Sequence, residues 1–207
     1  MKYKQMKGVA AALALALPLA ANAESNFQTG AGVLNATARV DFTIVIPRIL
    51  FLQVGTGTAM ANNATVNLIT FNVPAVSVGT GVPIAATVGS GDLGNGTVTA
   101  RLIGNGGNVS LNVATLGALQ NGSGDTISYT QIRTTAAALA GVPLLLSPPA
   151  LANGAGTAIT VTATSRVVNH GARWTYSYLN AAPVGSGTYG GAGGVLNGRA
   201  TYTATLP

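Results

Sequence analysis

The few residues able to do acid–base or metal chemistry are scattered along this chain. His170 is its single histidine, it has no cysteine, and its carboxylates are Glu24, Asp41, Asp92 and Asp125. A Ser–His–Asp triad would have to use His170, whose surroundings (VVNHGARW) are typical of a turn between strands. A zinc site needs several His or Cys ligands. The sequence therefore predicts no catalytic residue and no metal ligand.

Two glycine-rich segments have the spacing G-x-G-x-x-G, at residues 89–94 (GSGDLG) and 185–190 (GSGTYG). This motif binds dinucleotide phosphates where it joins a strand to a helix whose N-terminal amides face the phosphates. The first segment runs into Asn95-Gly96 and a strand-like stretch, and the second runs into further glycines. Because neither opens a helix, the sequence predicts no cofactor.

Aromatic residues form one regular pattern, in the stretch ARWTYSYLN, where Trp174, Tyr176 and Tyr178 occupy alternate positions. Side chains at alternate positions of a strand share one face of a sheet. If that face is exposed, the three rings are a candidate ligand face on which sugars could stack. If it is covered by a second sheet, the rings fill the core and leave only polar tips at its rim. Both interpretations remain open from the sequence.

The strands that would position these groups show the same alternation. In residues 36–46, alanines lead into Val40, Phe42, Ile44 and Ile46 on one side, and the other side carries Thr37, Arg39, Asp41 and Thr43. This pattern predicts a half-buried strand, which Pro47 would end. The four large apolar residues make this segment a candidate assembly strand. A second, more buried strand is predicted for residues 49–54.

Further short strands are predicted between turns rich in Gly, Asn and Pro. They cover residues 65–71, 83–88, 97–103, 108–113, 126–133, 158–164, 172–180 and 199–206. The alanine-rich stretches 111–119 and 134–141 are compatible with short helices. The expected fold is all-β, an immunoglobulin-like or jelly-roll-like β-sandwich of about eight to ten strands.

The N-terminus has the pattern of a Sec signal peptide. Lysines precede an apolar run, and Ala21-Asn22-Ala23 suits a cleavage site. We expect residues 1–23 to be removed, residues 24–35 to form a flexible arm, and residues 36–207 to form one domain. The expected location is the periplasm, the cell surface or the medium, and no transmembrane helix is expected in the mature chain, since its later apolar stretches contain prolines.

Charge is sparse, at 7% Asp, Glu, Lys and Arg against about 25% in ordinary soluble domains. After residue 23 the chain has seven scattered arginines and no lysine. Nucleic-acid binders cluster basic residues on one face, so nucleic acid is not an expected partner. Short neutral polar side chains cost little to desolvate, which favours association with other proteins.

The signal sequence, the polar N-terminal arm, the Gly/Thr/Asn-rich body and the terminal strand ATYTATLP resemble secreted bacterial pilin-type and other cell-surface β-sandwich proteins. The stretch PRILFLQVG is also similar to part of WxL-type surface domains. In chaperone–usher pilins, an N-terminal extension completes the sheet of the next subunit. The resemblance implies that Val33 or the segment 36–46 plays this part.

The expected function is therefore that of a non-enzymatic, exported structural protein that assembles with itself or with other surface proteins. One alternative is a secreted carbohydrate-binding or adhesin module that uses Trp174, Tyr176 and Tyr178. A second alternative is a small outer-membrane β-barrel, which the number of strands permits.

Overall fold

The structure is a computed structural model that describes residues 25–207, so the predicted signal peptide lies outside the described residues. The chain divides into two units, one ending at Ile46 and the other comprising Pro47–Pro207, which we call the body. The division falls after Ile46 rather than after residue 35. The reason is that residues 36–46 pair with no strand of the described chain.

The body consists of eleven strands and three short 3₁₀ segments. The 3₁₀ segments are Ala75–Ser77, Tyr129–Gln131 and Ala192–Asn197. The strands are β1 (Leu50–Val54), β2 (Ile84–Ala85), β3 (Thr97–Gly104), β4 (Val109–Thr115), β5 (Leu119–Gln120), β6 (Thr126–Ile127), β7 (Ile132–Ala138), β8 (Leu144–Leu145), β9 (Ile159–Val161), β10 (Val168–Tyr178) and β11 (Ala200–Thr205).

The strands form two sheets and a small hairpin. In the first sheet, β1 pairs with β3, and β3 pairs with β10. Strand β7 pairs with the opposite side of β10. Strand β2 continues the β3 side of β10, and β8 continues the β7 side. The second sheet has the order β11-β4-β9, and β5 pairs with β6. All pairs are antiparallel except that of β8 with β10.

The core lies between the two sheets because their strands alternate in the way the sequence predicts. In β3, Val98, Ala100 and Leu102 are buried, whereas the threonines and Arg101 between them are not. These residues pack with Leu111 of β4 and with the fully buried Trp174 of β10. The prediction of an all-β sandwich is confirmed.

The strand order follows the immunoglobulin type of sandwich, in which strands A, B, E and D form one sheet and C, F and G form the other. Here β1-β3-β10-β7 corresponds to A-B-E-D, and β4 and β11 correspond to C and F. The chain also visits these strands in alphabetical order. No strand of the described residues occupies the place of G beside β11.

Two predicted strands and two possible helices are absent from the described residues. Residues 36–46 and 65–71 form no strand, since an alternating pattern requires a paired strand and neither segment has one within residues 25–207. The alanine-rich stretches 111–119 and 134–141 contribute to β4 and β7 instead of helices. There the pairing of the sheet overrides the helical propensity of alanine, which is high but is readily outweighed by tertiary contacts.

Candidate assembly surface

The apolar residues of segment 36–46 lie exposed. The exposed fraction of the side chain is 70% for Val40, 87% for Phe42, 84% for Ile44 and 75% for Ile46. The expectation that this segment is a half-buried strand is therefore wrong, because its side chains are exposed and it pairs with no strand of the described residues. An alternating and unpaired apolar segment of this kind is suited to pairing with another chain.

Strand β11 offers a matching open edge in the body. It pairs along its whole length with β4, from Ala200 opposite Thr115 to Thr205 opposite Ser110. On its other side no strand of the described residues pairs with it. The row of backbone N–H and C=O groups on that side is available to an added strand.

The core is only partly covered along this edge. The inward-facing residues of β11, Ala200, Tyr202 and Ala204, are half-buried, in contrast to the fully buried Leu111 of neighbouring β4. Strand β1 of the first sheet is in contact with β11 of the second sheet. Leu52 of β1 is half-buried as well. The sequence shows the alternation in β11, but it does not show that one edge of this strand stays unpaired.

The start of β1 is fixed to the end of β11. The Arg48 guanidinium donates hydrogen bonds to the carbonyl oxygens of Leu206, at 3.2 Å, and of Pro207. This contact places Arg48, which precedes β1, at the C-terminal end of β11 and of its open edge. The two strands that border the partly covered core are thereby held in a defined arrangement.

The aromatic residues that the sequence identifies as a candidate ligand face are not exposed, which corrects that candidate. The exposed fraction is 0% for Trp174, 7% for Tyr176 and 5% for Tyr178. The Trp174 Nε1–H donates a hydrogen bond to the Leu146 carbonyl at 2.7 Å, and its ring lies 5.3 Å from that of Tyr202. Because all three rings are buried, they cannot serve as a platform for sugars.

The phenol groups of buried Tyr176 and half-buried Tyr202 resist ionisation. Burial raises the pKa of Tyr202 from 10.0 to about 12, although its hydrogen bond with Tyr176 acts in the opposite direction. Burial is also the main reason why the pKa of Tyr176 lies well above its usual value. The two hydroxyl oxygens are 3.0 Å apart, so a charge on one would lie beside the other.

We expect the body to lose stability above pH 10. There the unfolded chain releases phenolic protons that folded Tyr202 retains, so the unfolded state binds fewer protons and the free energy of unfolding falls as pH rises. With a folded pKa of about 12, this residue contributes a slope of at most about 1.4 kcal/mol per pH unit. Urea midpoints between pH 8 and 12 measure it, and Tyr202→Phe should flatten the decline. Equal slopes in the two proteins would contradict this assignment.

The remaining groups of chemical interest have structural partners. The Nδ1 atom of His170 lies 3.1 Å from the Leu145 carbonyl oxygen. Asp92 Oδ1 accepts a hydrogen bond from the Thr99 backbone N–H at 2.9 Å, and Asp125 Oδ2 accepts one from Asn121 Nδ2 at 2.8 Å. Within residues 25–207, no three His, Asp or Glu residues come together as a metal site would require. Neither G-x-G-x-x-G segment opens an α-helix in the described chain.

The described part of the chain, residues 25–207, contains no helix with the length and hydrophobicity required to cross a bilayer. The longest helical segment there is the kinked 3₁₀ stretch Ala192–Asn197.

No protein-family profile, no curated protein and no solved structure matches this chain.

Proposed function

We propose that this protein is a non-enzymatic structural subunit, exported to the bacterial periplasm or surface, that assembles by β-strand addition. In this proposal residues 36–46 of one copy, the donor segment, pair with the open edge of β11 in a second copy. The observation that carries it is the coexistence of an exposed, unpaired apolar segment and an unpaired edge over a partly covered core.

The donor segment has a strong reason to find a partner. Burying a side chain such as Val40, Phe42, Ile44 or Ile46 contributes about 1.5–3 kcal/mol each. The backbone hydrogen bonds of an added strand contribute further. Thr37, Thr43 and the charged Arg39 and Asp41 lie at the intervening positions, where an added strand would present them to solvent.

The edge of β11 suits such a donor better than the other edge of the same sheet. Strand β9 has three residues, whereas β11 has six and alternates regularly between half-buried and exposed side chains. The position next to β11 is also the one that strand G occupies in a complete immunoglobulin-type sandwich. A donor there would complete the sheet and cover Ala200, Tyr202 and Ala204.

The chemistry of the chain supports a structural role. His170 and the carboxylates of the body are engaged with backbone or amide groups in separate places. Charged residues make up 7% of the sequence, so association desolvates few ions. The resemblance of the N-terminus to a Sec signal favours a site of action outside the cytoplasm.

Deletion of residues 24–46 tests the proposal. We expect the full-length protein to give a multimer ladder on a gel run without boiling, because an added strand is held by a sheet of hydrogen bonds and buried apolar side chains. The deleted protein should run as a monomer. Its far-ultraviolet circular dichroism should retain the β signal of the body.

A point variant removes the concern that the deletion alters export or folding. Val40, Phe42, Ile44 and Ile46 are replaced together by Asn, and the matched control replaces Thr37, Thr43 and Val45 by Asn. Only the first variant should lose the ladder. If the ladder survives both the deletion and the first variant, this segment is not the donor.

A further inference from the structure

A second surface of the body, unrelated to the open edge, concentrates positive charge. Arg101 of β3, Arg173 of β10 and Arg133 of β7 lie at positions between the core residues of their strands, so all three leave the same outer face of the first sheet. Arg133 and Arg173 are exposed and Arg101 is half-buried. The sequence disperses these residues over more than seventy positions, and the strand register brings them together.

The register fixes their spacing. Arg101 lies opposite Gly171, two residues from Arg173 on the adjacent strand, and Arg133 lies opposite Ser177, four residues further along. With strands about 4.8 Å apart and about 3.4 Å per residue, the three α-carbons form a diagonal about 22 Å long. This length exceeds what one small anion can bridge and suits a polymer with repeated negative groups.

The guanidinium groups have almost no partners in the body. Among the described residues, the side-chain hydrogen bond that they make is that of Arg173 Nε–H to the Ala138 carbonyl, at 3.2 Å. The carboxylates of the body, Asp92 and Asp125, belong to loops and accept hydrogen bonds from other groups. The terminal nitrogens of three arginines are therefore free to bind anions in bidentate fashion.

Threonines fill the space between the arginines. Thr97, Thr175 and Thr135 form one row across β3, β10 and β7, with the Thr97 and Thr175 hydroxyl oxygens 2.9 Å apart. The next row places Thr99 beside Arg173. These hydroxyls can hydrogen-bond sugar hydroxyls. The strands of this sheet place one aromatic ring on this face, that of half-buried Phe51 opposite Ile103 at the β1 margin, whereas binding of single-stranded nucleic acid relies on successive rings for base stacking.

An apolar border marks one end of the arginine row. The side chains of Leu139 and Val142 pack onto Gly171, where an added Cβ would lie 3.1 Å from each of them. Gly171 is the residue opposite Arg101, so the turn that carries Leu139 and Val142 lies beside the Arg101 end of the face. A polymer would therefore run along the diagonal toward Arg133 and not beyond Arg101.

From this geometry we infer that the face formed by Arg101, Arg133 and Arg173 with Thr97, Thr99, Thr135 and Thr175, which we call the arginine face, binds an acidic polysaccharide. The arginines pair with its carboxylate or sulfate groups, and the threonines bind its hydroxyls. This inference is independent of the proposed strand addition, because the arginine face and the β11 edge belong to different sheets.

Binding of the full exported chain to three glycans tests the inference: polygalacturonate, dextran sulfate and neutral dextran, each at 50 and 500 mM NaCl. We expect both acidic polymers to bind at low salt and dextran not to bind. Binding should weaken at high salt because exposed charges are screened. Replacing Arg101, Arg133 and Arg173 together by Gln should weaken binding about tenfold to hundredfold, since each exposed ion pair contributes a small factor.

The matched control compares the double variant Arg133→Gln/Arg173→Gln with Arg166→Gln/Arg199→Gln. Arg166 and Arg199 are exposed and lie outside β3, β7 and β10, so the two double variants change net charge equally. Unchanged binding in the control supports the inference, and an equal loss in both variants overturns it in favour of attraction by net charge. Absence of binding, or preference for a single-stranded oligonucleotide over both glycans, also overturns it. The double variant Arg133→Gln/Arg173→Gln, which spares half-buried Arg101, serves if the triple variant does not fold.

Discussion

Replacing Trp174 by alanine is expected to destabilise the body by about 3–5 kcal/mol. Trp174 has no exposed surface, and it packs in the core cluster with residues from both sheets, among them Leu102 and Leu111. The substitution leaves a large cavity and removes the partner of the Leu146 carbonyl. Because domains are stable by only about 5–15 kcal/mol, a large share of the total is lost. Urea unfolding followed by far-ultraviolet circular dichroism measures the change.

Trp174→Phe separates the cavity from the hydrogen bond. Phenylalanine retains a ring in the core but donates no hydrogen bond, so the Leu146 carbonyl is left buried and unsatisfied, at a cost of about 1–3 kcal/mol. We expect the Phe variant to lie between the wild type and the Ala variant. An Ala variant within about 1 kcal/mol of the wild type would show that the two sheets do not close over this ring.

The alternation of apolar and polar residues was sufficient to predict the core strands of the body. Residues 97–103 and 199–206 were expected as strands and lie in β3 and β11 with nearly the same bounds. In both, polar threonines or Arg101 alternate with apolar or aromatic residues, and such a pattern can bury only one face. Strand and core assignments follow from that local constraint alone.

The same alternation does not specify which chain provides the partner. Residues 36–46 alternate as regularly as β3, yet they pair with nothing in the described chain. The pattern indicates only that one side of the segment, which carries the side chains of Val40, Phe42, Ile44 and Ile46, favours burial. Whether that burial occurs within the chain or between copies depends on edges that are many residues away, such as that of β11.

Alternation also leaves undetermined which face of a sheet is covered. Trp174, Tyr176 and Tyr178 were identified as lying on one face, and the sequence left open whether that face is core or ligand platform. The burial of all three rings decides for the core. The arginine face was missed for a related reason: Arg101, Arg133 and Arg173 are neighbours only through the registers of β3, β10 and β7.

Cysteine cross-linking should detect the donor segment beside β11 of another copy. The chain has no native cysteine, so introduced thiols are unambiguous. One protein carries Thr43→Cys in the donor segment, and the other carries Thr201→Cys, Thr203→Cys or Thr205→Cys on the solvent side of β11. When two such proteins are mixed and oxidised, only pairing between copies can give a heterodimer. Antiparallel neighbours have α-carbons about 4.5–5.5 Å apart, within the range of a disulfide.

We expect one or two of the three β11 positions to cross-link strongly, because a fixed register brings only the nearest residues to Thr43. The matched control is Thr135→Cys, an equally exposed threonine on β7, the outer strand of the first sheet. It should give at least tenfold less heterodimer, since strand addition at β11 does not bring Thr43 to that edge. Equal cross-linking at Thr135 would indicate random collision. Cross-linking at Thr135 alone would place the donor at β7 and leave the edge of β11 without its proposed partner.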